Sequence, residues 1–192
     1  MAYVHKTQVQ MGGDSAKNHP DFEAPWIQKL LSDPKLEWTQ QVPRRDNTTN
    51  AMFEKTLAAP DCIKAHLSFY RPTKEPESIQ PFEECFLMSI GNGIDGKAGR
   101  AHGGFDALVL DQVCGSCAHH AKPDPIPPAT ATMTTDYKLP VSTPCVVLAR
   151  SWMIAMEGRK MWIKAVMEDS EGRVLAQAKT LFIRAKGMDA KL

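Results

Sequence analysis

The stretch Arg100-Ala101-His102-Gly103-Gly104-Phe105-Asp106-Ala107-Leu108-Val109-Leu110-Asp111 decides the fold of this chain. A glycine pair opens a predicted helix, and Asp111 sits in its middle among small and apolar residues. Burying a carboxylate without a partner costs free energy or raises its pKa. An acid placed there needs a reason. Catalysis is one; a bond to a buried backbone group or to an arginine is the other.

At the front of the helix, His102-Gly103-Gly104 leaves backbone N–H groups unpaired where the macrodipole favours negative charge. Glycines let a ligand carbonyl approach the backbone closely, which is what an oxyanion site requires; a plain helix start has the same look. Around Asp111, the residues expected on the same face are Gly104, Ala107, Leu108, Cys114, Gly115 and Ala118, nearly all small. Asp106 reads as an ordinary first-turn acid suited to the dipole. Asp111 follows His102 by nine residues, about 13 Å along the axis and roughly half a turn round it. The two cannot act on one carbonyl from the same helix. If both are catalytic, the site joins the helix start of one subunit to Asp111 of another.

Working outward, the helix runs from near His102 to about His120, after a glycine-rich loop from Gly91 to Gly99. Before the loop, alternation from Cys62 through Ile63, Ala65, Leu67 and Phe69 predicts a strand. A proline-rich loop over 72–81 and a second strand over 85–90 follow. After the helix, Lys122 to Pro128 is a connection, and 130–137, 145–156, 160–169 and 174–184 read as strands. The turns Glu157-Gly158-Arg159 and Ser170-Glu171-Gly172 make the last three antiparallel neighbours. Upstream, residues 1–19 read as a polar tail and 21–31 as a helix with Phe22, Trp26 and Leu30 on one face. Residues 44–50 read as a linker and 51–57 as a short helical piece. The class is α+β, an antiparallel sheet of about six strands against one long helix. Its open edges and uncovered outer face predict self-association.

Composition narrows the function. The chain has 192 residues, enough for one domain with a real core. Its 23 Lys and Arg nearly balance 22 Asp and Glu, giving no electrostatic case for nucleic acid or an anionic membrane surface. No apolar run approaches the roughly 20 residues of a membrane span, and neither a secretory signal nor a good transit peptide is visible. Five cysteines at irregular spacing argue for free thiols. The expected location is the cytoplasm, with a mitochondrial one left open.

Two motifs imitate other chemistries. Gly91-Asn92-Gly93-Ile94-Asp95-Gly96 matches G-x-G-x-x-G, but the helix begins later and no parallel crossover follows. Read as a phosphate loop, the stretch ends on Ala98, which has no hydroxyl for Mg²⁺. We read it as a flexible connection, or a mobile lid over a ligand channel. Cys114-Gly115-Ser116-Cys117 with His120 could converge on a metal. With no second ligand pair on an apolar helix, core thiols are the better reading, and Cys117 lacks an evident base for nucleophilic work. No metal site is expected.

Taken together, His102-Gly103-Gly104 with Asp111, the strand from Thr130 ending in Tyr137-Lys138-Leu139-Pro140, and the turn Glu157-Gly158-Arg159-Lys160 resemble hotdog-fold acyl-CoA thioesterases of the PaaI type. The likeness covers roughly 62–186. It implies an N-terminal extension over 1–58, a hotdog domain over 59–187 and a tail over 188–192. The resemblance also implies hydrolysis of an acyl-CoA or carrier-bound acyl thioester. Asp111 would be general base or nucleophile, the Gly103 and Gly104 amides would polarise the carbonyl beside His102, and Thr130 would orient the attacking water. It further implies a homodimer, or a tetramer of paired dimers, with CoA across the interface. Arg159 and Lys160 become candidates for the CoA phosphates, as do Arg150 and Arg184. Relatives often carry an Asn six residues before the His; here that residue is Gly96.

Thioester hydrolysis needs a carboxylate and donors for the oxyanion, and no cofactor beyond the CoA of the substrate. Trp152, Met153, Met156, Met161, Trp162 and Met167 are read as packing, or as a lining for a flexible acyl group. One rival is a hotdog hydratase, which would want a paired Asp and His in one helix start. The other is a hotdog protein of a biosynthetic pathway that handles an acyl or polyketide-like ligand without hydrolysis.

Overall fold

The computed structural model describes residues 14–38, 50–123 and 126–186. The tail expected over 188–192, most of the linker over 44–50 and the first residues of the N-terminal tail lie outside them.

The chain opens with helix α1 (Asp14–Lys17), a tight turn over Pro20–Phe22 and helix α2 (Pro25–Leu31). The single helix expected over 21–31 is broken because Pro25 offers no N–H and holds Ala24 extended at ψ 137°. Strand β1 (Glu37–Trp38) then pairs with β2 (Ile63–Pro72), after a single π-type turn over Met52–Thr56. Next come β3 (Phe82–Ile90), a short ribbon of β4 (Asp95–Lys97) and β5 (Arg100–Ala101), and helix α3 (Gly103–Ala121). Four strands complete the chain: β6 (Ala129–Tyr137), β7 (Cys145–Glu157), β8 (Lys160–Glu168) and β9 (Val174–Ile183).

Antiparallel pairing gives one seven-stranded sheet in the order β1-β2-β3-β7-β8-β9-β6. The sheet gains one strand over the expected six because the two residues of β1, too few to show alternation, extend its edge. Gly158 and Gly172 turn the last hairpins at φ +55° and +74°, the left-handed region that glycine tolerates. Helix α3 lies against one face of the sheet. Phe105, Val109, Leu110, Val113, Cys114, Cys117 and Ala118 on its inner side are buried against Met88, Val147, Ile163, Met167, Ala178 and others.

The opposite face is covered by the chain itself. Phe22 and Ile27, both fully buried, pack with Leu67, Phe69, Cys85, Leu87 and Leu148, and half-buried Trp26, Leu30 and Trp38 complete the cover. Farther along this face, Arg150 is held by Glu168 (2.9 Å), Glu83 (3.1 Å) and Glu75, and Arg71 Nε donates to Glu83 at 2.7 Å. Burial opposes the charge on Arg150, but the surrounding carboxylates prevail and hold its pKa above the ordinary arginine value. Arg150 is therefore taken up in structure and is not a free contact for a phosphate.

The start of the glycine-rich loop is tied to the turn before β2. Gly91 and Gly93 donate to the carbonyls of Cys62 and Asp61, each at 2.7 Å. A Cβ on Gly91 would come within 2.2 Å of the Asp61 carbonyl oxygen. These glycines permit close backbone contact, which accounts for the false nucleotide motif.

Phe22→Ala leaves a cavity under the N-terminal segment and is expected to cost about 3–5 kcal/mol. Urea denaturation monitored by tryptophan fluorescence measures it; a loss below about 1 kcal/mol would show that the segment is only loosely attached.

Candidate active site

His102 caps α3. Its backbone is extended (φ −70°, ψ 133°), and its Nδ1 accepts the Gly104 N–H at 2.8 Å. That bond requires Nδ1 to be unprotonated, so a neutral ring carries its proton on Nε2. The imidazole leans over Gly96, where a Cβ would lie 3.0 Å from His102 Cδ2.

Of the two amides expected to polarise a carbonyl, Gly104's is thus already engaged. Gly103's has no acceptor among the described residues. Tyr137, at the end of β6, fixes the peptide between them: its hydroxyl donates to the Gly103 carbonyl at 2.9 Å. Its ring packs closely on Gly103, where a Cβ would lie 3.2 Å from the ring. Tyr137 is itself 55% exposed.

Asp111 lies on the outer side of α3 with Leu108, Gln112, Gly115 and Ser116, all half-buried. The Thr130 hydroxyl donates to Asp111 Oδ1 at 2.8 Å. Thr130 reaches it because of a bulge between Thr130 and Thr132. Thr130 pairs with Phe182, Met133 with Thr180 and Tyr137 with Ala176, all facing the helix. Even spacing from Tyr137 would turn residue 130 away; one extra residue brings it back. The structure therefore unites Thr130 with Asp111, and Tyr137 with Gly103, within one chain. His102 and Asp111 stand at separate points along α3.

The buried acid of this helix is Asp106, not Asp111. Asp106 is 5% exposed, and its Oδ1 has no partner among the described residues. Burial pushes its carboxyl up to about 6, against the pull of His102. A signal was present in the sequence: Asp106 is three and four residues from Val109 and Leu110, on the stripe that faces the sheet.

Burial pushes the Cys114 thiol up to about 12 and raises that of Cys117 further, so both are core thiols. His120 Nδ1 lies 3.3 Å from Glu84 Oε2 and stacks on Phe82. Among the described residues no three His, Cys, Asp or Glu side chains could hold a metal. Arg159 is exposed and donates to the Arg184 carbonyl at 2.9 Å, with Lys160 exposed beside it, while Arg184 is buried. Lys160 pairs with Ile183, which pairs with Ala129. The turn thus lies at the sheet end that carries Thr130. Trp152, Met153, Met161 and Met167 are buried; Met156 is exposed.

Residues 98–176 match the thioesterase superfamily model. The chain is 32% identical to the acyl-coenzyme A thioesterase THEM4 of Rattus norvegicus over 99 residues, covering 51% of this chain and 41% of that protein. Against the Mus musculus THEM4 it is 25% identical over 171 residues, covering 88% and 67%. The match thus spans 41% of one relative's length and 67% of the other's. Among solved structures, zebrafish thioesterase superfamily member 2 superposes with a TM-score of 0.50 at 12% identity, over 60% of this chain and 81% of that one. A phenylacetic acid degradation-related protein of Ralstonia eutropha does so with 0.50 at 13% identity, over 53% and 76%. This chain has the hotdog fold, and its similarity to the thioesterase superfamily model covers residues 98–176.

Proposed function

We propose that the protein hydrolyses an acyl-CoA, or an acyl group carried as a thioester on a carrier protein. The observation that carries this reading is the Thr130–Asp111 hydrogen bond: a carboxylate on the outer side of the central helix, oriented by a hydroxyl from the sheet edge. Similarity to acyl-coenzyme A thioesterases over about half of the chain supports it. Asp111 acts as general base on water, or as nucleophile on the acyl carbon, with Thr130 orienting the water. The oxyanion forms at the Gly103 amide, with the His102 Nε2–H nearby as a second donor. The reaction takes no cofactor beyond the CoA of its substrate.

The site is shared. Gly103 and Asp111 are too far apart on one helix to serve one carbonyl, so each pairs with its counterpart in a homodimer, which can pair again as a tetramer. Strand β6 supports this arrangement, being an edge strand of nine residues, seven of them exposed. Arg159 and Lys160, cationic and at the same sheet end as Thr130, hold CoA phosphates. No helix among the described residues is long and apolar enough to cross a membrane. We place the protein in the cytoplasm, with mitochondria as the alternative.

One observation favours a second reading, an acyl- or polyketide-binding hotdog protein that does not hydrolyse: residue 96, where the resemblance implies an Asn, is a glycine, and the Gly104 amide is capped by His102.

Thiol release from a panel of acyl-CoAs decides between them. Asp111→Asn is expected to reduce kcat at least about 100-fold with the fold intact by circular dichroism. Binding of an acyl-CoA without thiol release by the wild type would establish the second reading. Sedimentation should give at least twice the 21.3 kDa chain mass; a strict monomer turning over substrate would end the shared-site account. Reversing both Arg159 and Lys160 to Glu should raise KM for CoA esters roughly tenfold at unchanged kcat. An unchanged KM would remove them from the CoA site.

A further inference from the structure

Among the described residues the sheet has two unlike edges. β1 offers two residues, whereas β6 offers nine and leaves seven of them exposed. The long edge carries both ties to the helix, Thr130 to Asp111 and Tyr137 to Gly103. The spacing of those ties suits a second copy of the strand.

Thr130 and Tyr137 are seven residues apart, yet their partners on β9, Phe182 and Ala176, are six apart. The bulge between Thr130 and Thr132 absorbs the difference. Counted in rungs of the ladder, the midpoint therefore falls on one residue, Thr134, which pairs with Lys179. Symmetry needs such a midpoint. A twofold axis that exchanges two antiparallel strands passes through a rung and sets a residue opposite its own copy. A midpoint between two rungs would bring together side chains from opposite faces of the sheet. With the bulge, Thr130 and Tyr137 both face the helix side, and one axis can set each opposite the other's copy.

We propose that β6 pairs antiparallel with β6 of a second copy about an axis at Thr134, setting each Thr130–Asp111 pair beside the partner's Tyr137 and the partner's Gly103. Thr130 then stands about 4.5–5.5 Å from the partner's Tyr137 between Cα atoms. The Asp111 carboxylate and the partner's Gly103 amide flank one crevice. Within a single chain, eight residues of helix, about 12 Å, keep those two groups apart.

The rest of the ladder agrees. Met133 faces the partner's Thr135, Asp136 faces the partner's Thr132, and no like charges meet. The two Thr134 side chains make a favourable cross-strand pair. An axis at Met133 forms as many rungs but leaves Tyr137 beyond the end of the partner strand, and an axis at Asp136 opposes two carboxylates. The choice of Thr134 rests on the shared-site reading above.

Thr134→Cys, and the double variant Met133→Cys with Thr135→Cys, test the register in the full chain under oxidised glutathione. One of the two sets lies on rungs without backbone hydrogen bonds, where side chains come closest, and Cα separations on both kinds of rung suit a disulfide. Wild type treated alike shows what Cys62 and Cys145, both half-buried, contribute. Non-reducing electrophoresis should move most of at least one variant to twice the 21.3 kDa chain mass. Peptide mapping should then find position 134 joined to 134, or 133 joined to 135. A 133–133 or 135–135 bond, or no dimer above the wild-type level in either variant, overturns the proposal.

Thr134 is exposed and lies between Met133 and Thr135, which face the helix side, so its own side chain points away from the site. The cross-linked Thr134→Cys dimer should therefore release thiol from acyl-CoA at the rate of oxidised wild type. A loss beyond about tenfold would show that this register does not build the site. No thiol release by the wild type would sink the thioesterase reading instead, with peptide mapping still deciding the register.

Discussion

Strand β6 is tied to helix α3 at two points, and the candidate site depends on both ties. Near its start, Thr130 donates to Asp111; at its end, Tyr137 donates to the carbonyl of Gly103. A hydrogen bond to a charged acceptor contributes about 1.5–3 kcal/mol, enough to keep the carboxylate in one orientation on an otherwise small-residue surface. Both ties come from an edge strand. Any second copy that completes the sheet there would therefore bear on the residues that position the chemistry. On the proposed reading, association and catalysis would share a strand.

The helix and its polar points were legible because helical periodicity is a local property. Glycines after a capping histidine mark a start, and nine residues to Asp111 fix both distance and angle. The long strands were legible for a similar reason, since alternation needs only near neighbours in sequence. What escaped depended on contacts distant in the chain. The two-residue strand β1 carries no pattern of its own and exists because Tyr70 and Phe69 supply its ladder. Thr130 faces Asp111 only through a one-residue bulge, which alternation does not reveal. Why residues 91 and 93 are glycines was hidden as well, because Asp61, which packs against both, lies some thirty residues earlier. The error over Asp106 was of another kind. Its place on the apolar stripe could have been read, but the habit of assigning first-turn acids to the dipole concealed it.

The outer sheet face changes the argument for self-association. A bare sheet face would demand a partner on hydrophobic grounds, yet Phe22 and Ile27 already bury that surface against Phe69 and Leu87. Beyond them, Arg150 and its carboxylates close the same face with ion pairs that satisfy one another. Breaking one partner would leave uncompensated buried charge, a larger penalty than the network's net gain. The argument for a second copy therefore rests on the edge at β6 and on the proposed shared site, not on the face.

The helix start reconciles two opposed requirements. Stability asks that the first amides of α3 be capped, whereas stabilising an oxyanion asks that they be open. His102 meets the first by closing on Gly104, its ring lying close over Gly96. The Gly103 amide, one peptide earlier, lies beyond the reach of that cap. Tyr137 then grips the same peptide from its carbonyl side, which polarises the Gly104 N–H and strengthens its bond to His102. One donor is thus committed to holding the helix end rigid, and the rigidity keeps the neighbouring donor aimed. A side chain at position 96 would press on the capping ring, so Gly96 gives the cap its close approach.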